Sequence, residues 1–258
     1  VKLAVAGAGG RMGRALIEAI QADGADTLAA ALDVAGSPSL GQAAAGVKIG
    51  SDIAAAVAAA DVLIDFTRPE GTMKHLDACL KHSKAMVIGT TGLSESERKK
   101  IAESAKRIPI VMSPNFAVGV NVLFRLVETA ARALGEGYDV EIIEAHHKHK
   151  ADAPSGTALK LGELIAAALK TDLSTAAAHG RHGDTGERPA KQIGFHAIRG
   201  GDVVGEHTVL FLGAGERLEL AIRSQSRMTY AGGAVRAAKW LRGRPAGLYD
   251  MFDVLGLN

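Results

Sequence analysis

Two kinds of hydrophobic pattern alternate over the first 117 or so residues. Short unbroken apolar runs are followed by stretches in which apolar positions recur every three or four residues. The runs read as buried strands and the recurring stretches as helices with one apolar face. Lys2 to Ala6 is the first run, and Ala15, Leu16, Ala19 and Ile20 behind it have helical spacing. Thr27 to Leu32, Val62 to Phe66, Ala85 to Ile88 and Ile108 to Met112 are four further strands. Ser51 or Asp52 is placed to cap an Ala-rich helix over 53–60. Ser94 and Glu97 have the spacing of a capping box ahead of a helix over about 94–106. Strands alternating with helices predict right-handed crossovers and a parallel, doubly wound sheet of Rossmann type.

The pattern changes after residue 117. Leu123, Phe124, Val127, Ala131 and Leu134 predict a long helix that Gly135 and Gly137 end. Tyr138 to Ala145 reads as a strand, a helix follows over about 157–169, and 171–191 reads as a polar loop. Three strands come next, around Ile193 to Ala197, Val203 to Leu212 and Leu218 to Ile222, separated by Gly200-Gly201 and Gly213-Ala-Gly215. Hairpin spacing of this kind predicts antiparallel pairing, hence a second α+β domain with a mixed or antiparallel sheet. Ala234 to Leu241 predicts a last helix that packs back on the first domain. The expected division is therefore residues 1–117 with 227–258 for one domain and 118–226 for the other.

Composition narrows the function. Of 258 residues, 47% are hydrophobic and 22% charged, and the formal charge is +2, so a nucleic acid or polybasic membrane partner is not expected. No apolar run approaches the length of a membrane span. Cys79 is the sole cysteine, which excludes an intrachain disulfide and fits a reducing cytosol; a cytoplasmic location is expected. The first residues read as a strand rather than a signal peptide, and the missing initial Met points to trimming or an incomplete start.

Two stretches carry chemistry. The first is Gly7-Ala8-Gly9-Gly10-Arg11-Met12-Gly13, set between a strand and a helix. Glycines there let the backbone approach a pyrophosphate, and the helix start offers unpaired N–H groups. The spacing is G-x-x-G-x-x-G, with Met12 where the third glycine of the usual dinucleotide fingerprint stands. Asp33 ends the second strand about twenty residues on, where an acid binds the ribose hydroxyls. Val34 follows it, and no Arg or Lys stands beside it to meet a 2′-phosphate, so NADH is favoured over NADPH. The remaining strand ends are Phe66 to Arg68, Gly89 to Thr91 and Ser113 to Phe116, the side on which an open parallel sheet binds ligands.

The second stretch runs from Glu144 to Ala158. His146 and His147 follow a strand, Lys150 and Asp152 come next, and Pro154-Ser155-Gly156-Thr157 opens a helix. Histidine is the side chain best poised for proton transfer near neutral pH. Lys150 supplies positive charge, and a helix start at Gly156 and Thr157 offers N–H groups to a carboxylate. Adjacent strand residues face opposite sides, so His146 and His147 can share a pocket only if the strand breaks between them. His146, His147 and His149 also raise a metal site, but no acid or Cys completes a familiar ligand pattern, and no metal is expected.

Gly7 to Gly13, Asp65-Phe-Thr-Arg-Pro-Glu-Gly-Thr72, Gly89-Thr-Thr-Gly92, Asn115-Phe-Ala-Val-Gly-Val-Asn121, Glu144 to Thr157, Gly205-Glu-His207, Ser226-Arg-Met228 and Asp253-Val-Leu255 together resemble the bacterial dihydrodipicolinate (4-hydroxy-tetrahydrodipicolinate) reductase family. The resemblance covers nearly the whole chain. It implies reduction of a small cyclic dicarboxylate of the diaminopimelate and lysine pathway with NADH or NADPH. It makes His146 the proton donor or acceptor, Lys150 a proton donor, and His147, Gly156 and Thr157 contacts to the substrate carboxylates. It assigns Gly7, Ala8, Gly9, Gly10, Arg11, Met12, Asp33, Gly89, Thr90, Thr91, Ser113, Pro114, Asn115 and Phe116 to the cofactor. It further implies a homotetramer held by the second domain's sheets. Family members that use NADPH well often carry Arg where Val34 stands. With cofactor and substrate on different domains, hinges are expected near Ala117–Gly119 and Ser224–Arg227. Two other readings compete: a two-domain amino-acid or semialdehyde dehydrogenase, which gives no reason for the His-His-x-x-Lys stretch, and a nucleotide sensor without turnover.

Overall fold

The structure is a computed structural model that describes residues 1–258. The chain divides into two compact units, Val1–Val118 with Arg227–Asn258, and Gly119–Ser226. In the first unit β1 (Lys2–Ala6), α1 (Arg11–Asp23) and β2 (Thr27–Leu32) come in succession. A two-strand excursion follows, β3 (Ala43–Ala44) and β4 (Val47–Gly50). Then come α2 (Ile53–Ala59), β5 (Val62–Asp65), α3 (Pro69–His82), β6 (Ala85–Ile88), α4 (Glu95–Ser104) and β7 (Pro109–Met112). Strands β5 and β6 are buried at every residue, as the unbroken apolar runs of a sheet covered on both faces require. Asp52 caps α2 by accepting from the Ala55 N–H, and Ser94 with Glu97 forms the reciprocal capping box of α4.

The small-residue stretch after β2 holds β3 and β4 as an antiparallel pair at the sheet edge. Its two-residue turn, Ala45 and Gly46, has positive φ at both positions, the geometry that matches the twist of a tight hairpin.

The second unit holds α5 (Val118–Leu134), β8 (Asp139–His146), α6 (Gly156–Ala168), α7 (Leu173–Ala176), β9 (Ala177–His179), β10 (Ile193–Arg199), β11 (Gly205–Leu212) and β12 (Arg217–Ser224). Its five-stranded sheet has the order β12-β11-β8-β10-β9. The expected hairpin pairing holds for β11 with β12 and fails for β10 with β11. Strand β8 lies between those two, antiparallel to β11 and parallel to β10. The reason is the crossover through α6, which returns the chain to β8's flank in the same direction. The stretch 171–191 also departs from a plain loop, because α7 and β9 form within it.

The chain then returns to the first unit as α8 (Met228–Trp240), β13 (Gly247–Tyr249) and α9 (Met251–Leu255). Helix α8 starts six residues earlier than its apolar spacing predicts and packs on α1. The completed first sheet has the order β13-β7-β6-β5-β1-β2-β4-β3. One of its faces is closed by Leu16 and Ile20 with Ala234, Val235, Ala238 and Leu241. The other is closed by Val57, Leu76, Cys79 and Ile101. No helix is long and apolar enough to cross a membrane.

Candidate functional site

The first unit supplies a nucleotide cradle built mainly from backbone. Gly7 has φ +70°, and the Gly10 N–H closes the turn on the Gly7 carbonyl at 2.9 Å. Gly13 packs so closely on that carbonyl that a side chain there would run into main-chain atoms. Gly10 caps α1 without any side-chain hydrogen bond, which leaves the N–H groups of the first turn the donors an anion at a helix start uses. Asp33 is fixed by two backbone donors, Gly9 N–H at 3.0 Å and Val34 N–H at 2.8 Å. Val34 itself is 70% exposed. These features fit a dinucleotide: close backbone approach for the pyrophosphate and a positioned carboxylate for the ribose.

The remaining strand ends meet around Phe66. Its ring stands edge-on to Phe116 at 5.3 Å, and Gly89 lies beneath it with no room for a side chain. Thr90 is buried and linked to Thr72 through their hydroxyls at 2.8 Å. The Ser113 hydroxyl donates to the Asn115 carbonyl, and the Asn115 side chain accepts from Ala117 N–H, which fixes the turn around an exposed Pro114. A pocket beside the glycine turn is lined by Gly7, Gly10, Arg11, Met12, Phe66, Arg227 and Tyr230. Phe66, Arg227 and Tyr230 line it beside residues expected to hold the cofactor. The last two come from the returning segment, over one hundred residues from the glycines, and local spacing carries no signal for them.

The second unit supplies a charged cluster whose origin is strand register. Residues Val140, Ile142, Glu144 and His146 alternate onto one face of β8. Ile193, Phe195, Ala197 and Arg199 of β10 stand opposite them in that order. His207, Val209 and Phe211 of β11 stand opposite Glu144, Ile142 and Val140. This face is therefore apolar at one end and polar at the other, where Glu144, His146, Arg199 and His207 gather.

Glu144 is 1% exposed. Its carboxylate accepts from His146 Nδ1 at 2.6 Å, from both Arg199 Nη atoms at 2.8 Å, and from Ser155 N–H at 3.1 Å. Burial alone would push its pKa up, but the hydrogen bonds from Arg199 and His146 hold it below the usual carboxylate value. Burial lowers the pKa of His146, and the Glu144 contact opposes that shift. With Nδ1–H committed to Glu144, His146 presents Nε2. A side chain at position 205 would sit 3.2 Å from that nitrogen, so Gly205 keeps the approach open. Burial, and after it the charge of His146, pushes His207 down to about 4. Its neutral ring lies edge-on to His146 at 5.2 Å and shares a hydrogen bond between Nε2 and the Ser155 hydroxyl at 3.0 Å. That hydroxyl also caps α6 by accepting from Ala158 N–H.

Strand β8 ends at His146. His147 thus lies outside the strand, and the alternation rule no longer sends it to the opposite face. Lys150 Nζ pairs with Asp152 at 2.8 Å, and that contact lowers the Asp152 pKa. Gly156 and Thr157 are the first two residues of α6. No group of three or more His, Cys, Asp or Glu side chains is arranged to hold a metal ion. Two-residue spacing was the available signal for Glu144, since a strand puts it beside His146. Placing Arg199 and His207, the latter within the Gly205-Glu-His207 stretch, beside Glu144 needed the register of three strands.

Comparison with known proteins now decides the family. A family model described as dihydrodipicolinate reductase, N-terminus, matches residues 1–116, and one described as dihydrodipicolinate reductase, C-terminus, matches 119–255. The chain belongs to the dihydrodipicolinate reductase family. Relatives named 4-hydroxy-tetrahydrodipicolinate reductase include that of Aromatoleum aromaticum, 57% identical over 100% of this chain and 96% of its own. The Cupriavidus necator relative is 56% identical over 100% of both chains. A solved dipicolinate-bound dihydrodipicolinate reductase from Paenisporosarcina sp. TG-14 is 25% identical, with a TM-score of 0.81 over 98% of each chain. As a dihydrodipicolinate reductase family member the chain is an oxidoreductase with a Rossmann nucleotide-binding unit. More distant dehydrogenases share its fold, among them a probable dehydrogenase from Thermotoga maritima with a TM-score of 0.64 at 10% identity.

Proposed function

We propose that the chain reduces 4-hydroxy-tetrahydrodipicolinate to tetrahydrodipicolinate, an activity of the diaminopimelate and lysine route, with the first unit binding the nucleotide and the second the dicarboxylate. The observation that carries the site assignment is a proton-transfer group, His146, held with Nε2 open beside a lysine and the start of α6. Bound at Gly7 to Met12, Asp33, Gly89 to Thr91 and Ser113 to Phe116, NADH or NADPH supplies the hydride. The chain's own part is orientation, charge and a proton. His147, Gly156 and Thr157 take the carboxylates, using a ring N–H and the N–H groups of a helix start. His146 or Lys150 gives the proton. Dipicolinate, bound in the Paenisporosarcina enzyme, is the stable dicarboxylate with which to probe binding here.

NADH is the favoured cofactor. Asp33 is anchored at both oxygens, so its charge stays where a 2′-phosphate would come, and exposed Val34 offers that phosphate no partner. A homotetramer is proposed through the second unit's sheet, where Ile198 and Leu218 are exposed; mass determination in solution tests it.

The test of the function is an assay of NADH oxidation with enzymatically generated substrate, repeated with NADPH. Turnover is expected with both and faster with NADH; absence of turnover with either refutes the assignment. Val34→Arg is expected to raise the NADPH-to-NADH ratio of kcat/KM by roughly tenfold, the worth of one exposed charge-assisted contact. An unchanged ratio removes Asp33 and Val34 from cofactor selection.

A further inference from the structure

One buried carboxylate bonds His146, Ser155 and Arg199 of the second unit's site and reaches Lys150 through Arg199 and Asp152. Glu144 binds His146 Nδ1 at 2.6 Å, which fixes the ring's tautomer and direction. Its other oxygen accepts the Ser155 N–H at 3.1 Å, immediately before Gly156 and Thr157. Both oxygens bind Arg199, whose Nη2 also donates to the Asp152 carbonyl at 2.7 Å, and the Asp152 side chain holds Lys150. A charge this deeply buried is costly unless every lone pair is used, and here four N–H groups use them.

We infer that Glu144 is the positioning residue of the site. It aims His146, anchors the start of α6, and through Arg199 ties down the loop bearing Lys150, so that proton group and carboxylate cradle keep one geometry. The inference rests on the roles given above to His146, Lys150, Gly156 and Thr157. Glu144 itself contacts neither substrate nor cofactor in this scheme. The groups facing His146 are Glu144 on its own strand, Arg199 from β10, His207 from β11, and Lys150 from the following loop. Glu144 is the single anion among them, and its removal has a definite sign: the imidazolium loses its partner and the His146 pKa falls further.

The experiment is an NMR titration of His146 in the full chain without substrate, its resonance assigned by difference from His146→Gln, alongside kinetics. Glu144→Gln keeps the shape and one acceptor oxygen but removes the charge. Its His146 titration is expected to move to lower pH by about one unit. Its kcat is expected to fall by roughly 10- to 10²-fold, less than the roughly 10²–10⁴-fold that the proton-transfer group itself is worth, with a smaller change in KM. Glu144→Asp, which keeps the charge, is expected to restore the titration but not the full kcat. A folded Glu144→Gln with an unshifted His146 titration and unchanged kcat overturns the inference. Should Glu144→Gln fail to fold, Arg199→Lys decides. It leaves Glu144 on His146 and frees the Asp152 carbonyl, so KM is expected to rise severalfold with the His146 titration in place. An unchanged KM counts against the tether. Because the titration needs no substrate, it distinguishes failure of the positioning role from failure of the proposed reduction.

Discussion

The candidate sites of the two units are built by opposite means. The nucleotide cradle of the first unit is made of main chain: glycines 7, 9, 10 and 13, the open start of α1, and an Asp33 held by backbone N–H groups. The site of the second unit is made of side chains, with Glu144, His146, Arg199, His207 and Ser155 in one hydrogen-bonded cluster. A backbone cradle has no proton to give and no pKa to set, so it suits a cofactor that brings its own chemistry. A side-chain cluster has both, and it depends on several strands keeping register.

Removing chemistry from the second unit tests the contrast most severely. Lys150→Ala is expected to cut turnover by roughly 10²–10⁴-fold, the usual worth of a positioned acid or base, with NADH affinity intact by fluorescence titration. Near-normal turnover would take Lys150 out of the mechanism. The corresponding blow to the first unit needs one methyl. Gly13→Ala places carbon against the Gly7 carbonyl and is expected to cost about 1–3 kcal/mol of stability. NADH affinity should drop while dipicolinate binding, measured by calorimetry, persists. Equal loss of both ligands would mean that the two cradles are not separable.

Acid offers the mildest separation. His207 is held at about 4, below its ordinary value, so the unfolded chain binds its proton more readily. Its contribution to stability is complete above about pH 6.5 and is lost as pH falls toward 4. Glu141 adds to this at lower pH. Burial opposes its charge, but Arg181, His196 and Arg188 hold it at about 2. Its contribution is present above about pH 4.5 and disappears as pH falls toward 2. The second unit should therefore loosen first, and hydrogen exchange at pH 4.5 is expected to show β8 and β11 losing protection before β1 and β5. His207→Gln should flatten the upper part of that loss; the reverse order would contradict the assignment of these groups.

What was legible in the sequence follows the same division. Gly7 to Gly13, Asp33 and the strand ends of the first unit stand close in sequence to the elements they serve, so periodicity and turn chemistry expose them. Asp52, Ser94 and Glu97 act within one helical turn and are legible for that reason. Reading failed where the partner is remote. β10 and β11 have hairpin spacing, yet β8 separates them, because the strand–helix–strand passage through α6 lays β10 parallel beside β8. Arg199 meets Glu144 across 55 positions and Ser155 meets His207 across 52, and Arg227 and Tyr230 reach the glycine turn only by the chain's return. Because β8 ends at His146, strand alternation does not force His147 to the opposite face.

That return bears on biosynthesis. Ala231, Ala234, Val235, Ala238, Leu241, Met251 and Val254 complete one face of the nucleotide-binding sheet, and all lie after the second unit in sequence. During translation the inserted unit is whole before the unit that encloses it can be. Until residues 231–254 emerge, the nascent sheet carries a bare apolar surface, the kind that chaperones bind and aggregates recruit. Translation halted between residues 226 and 231 would have produced every residue of the second unit and left the face of the first sheet that α8 and α9 close without its cover.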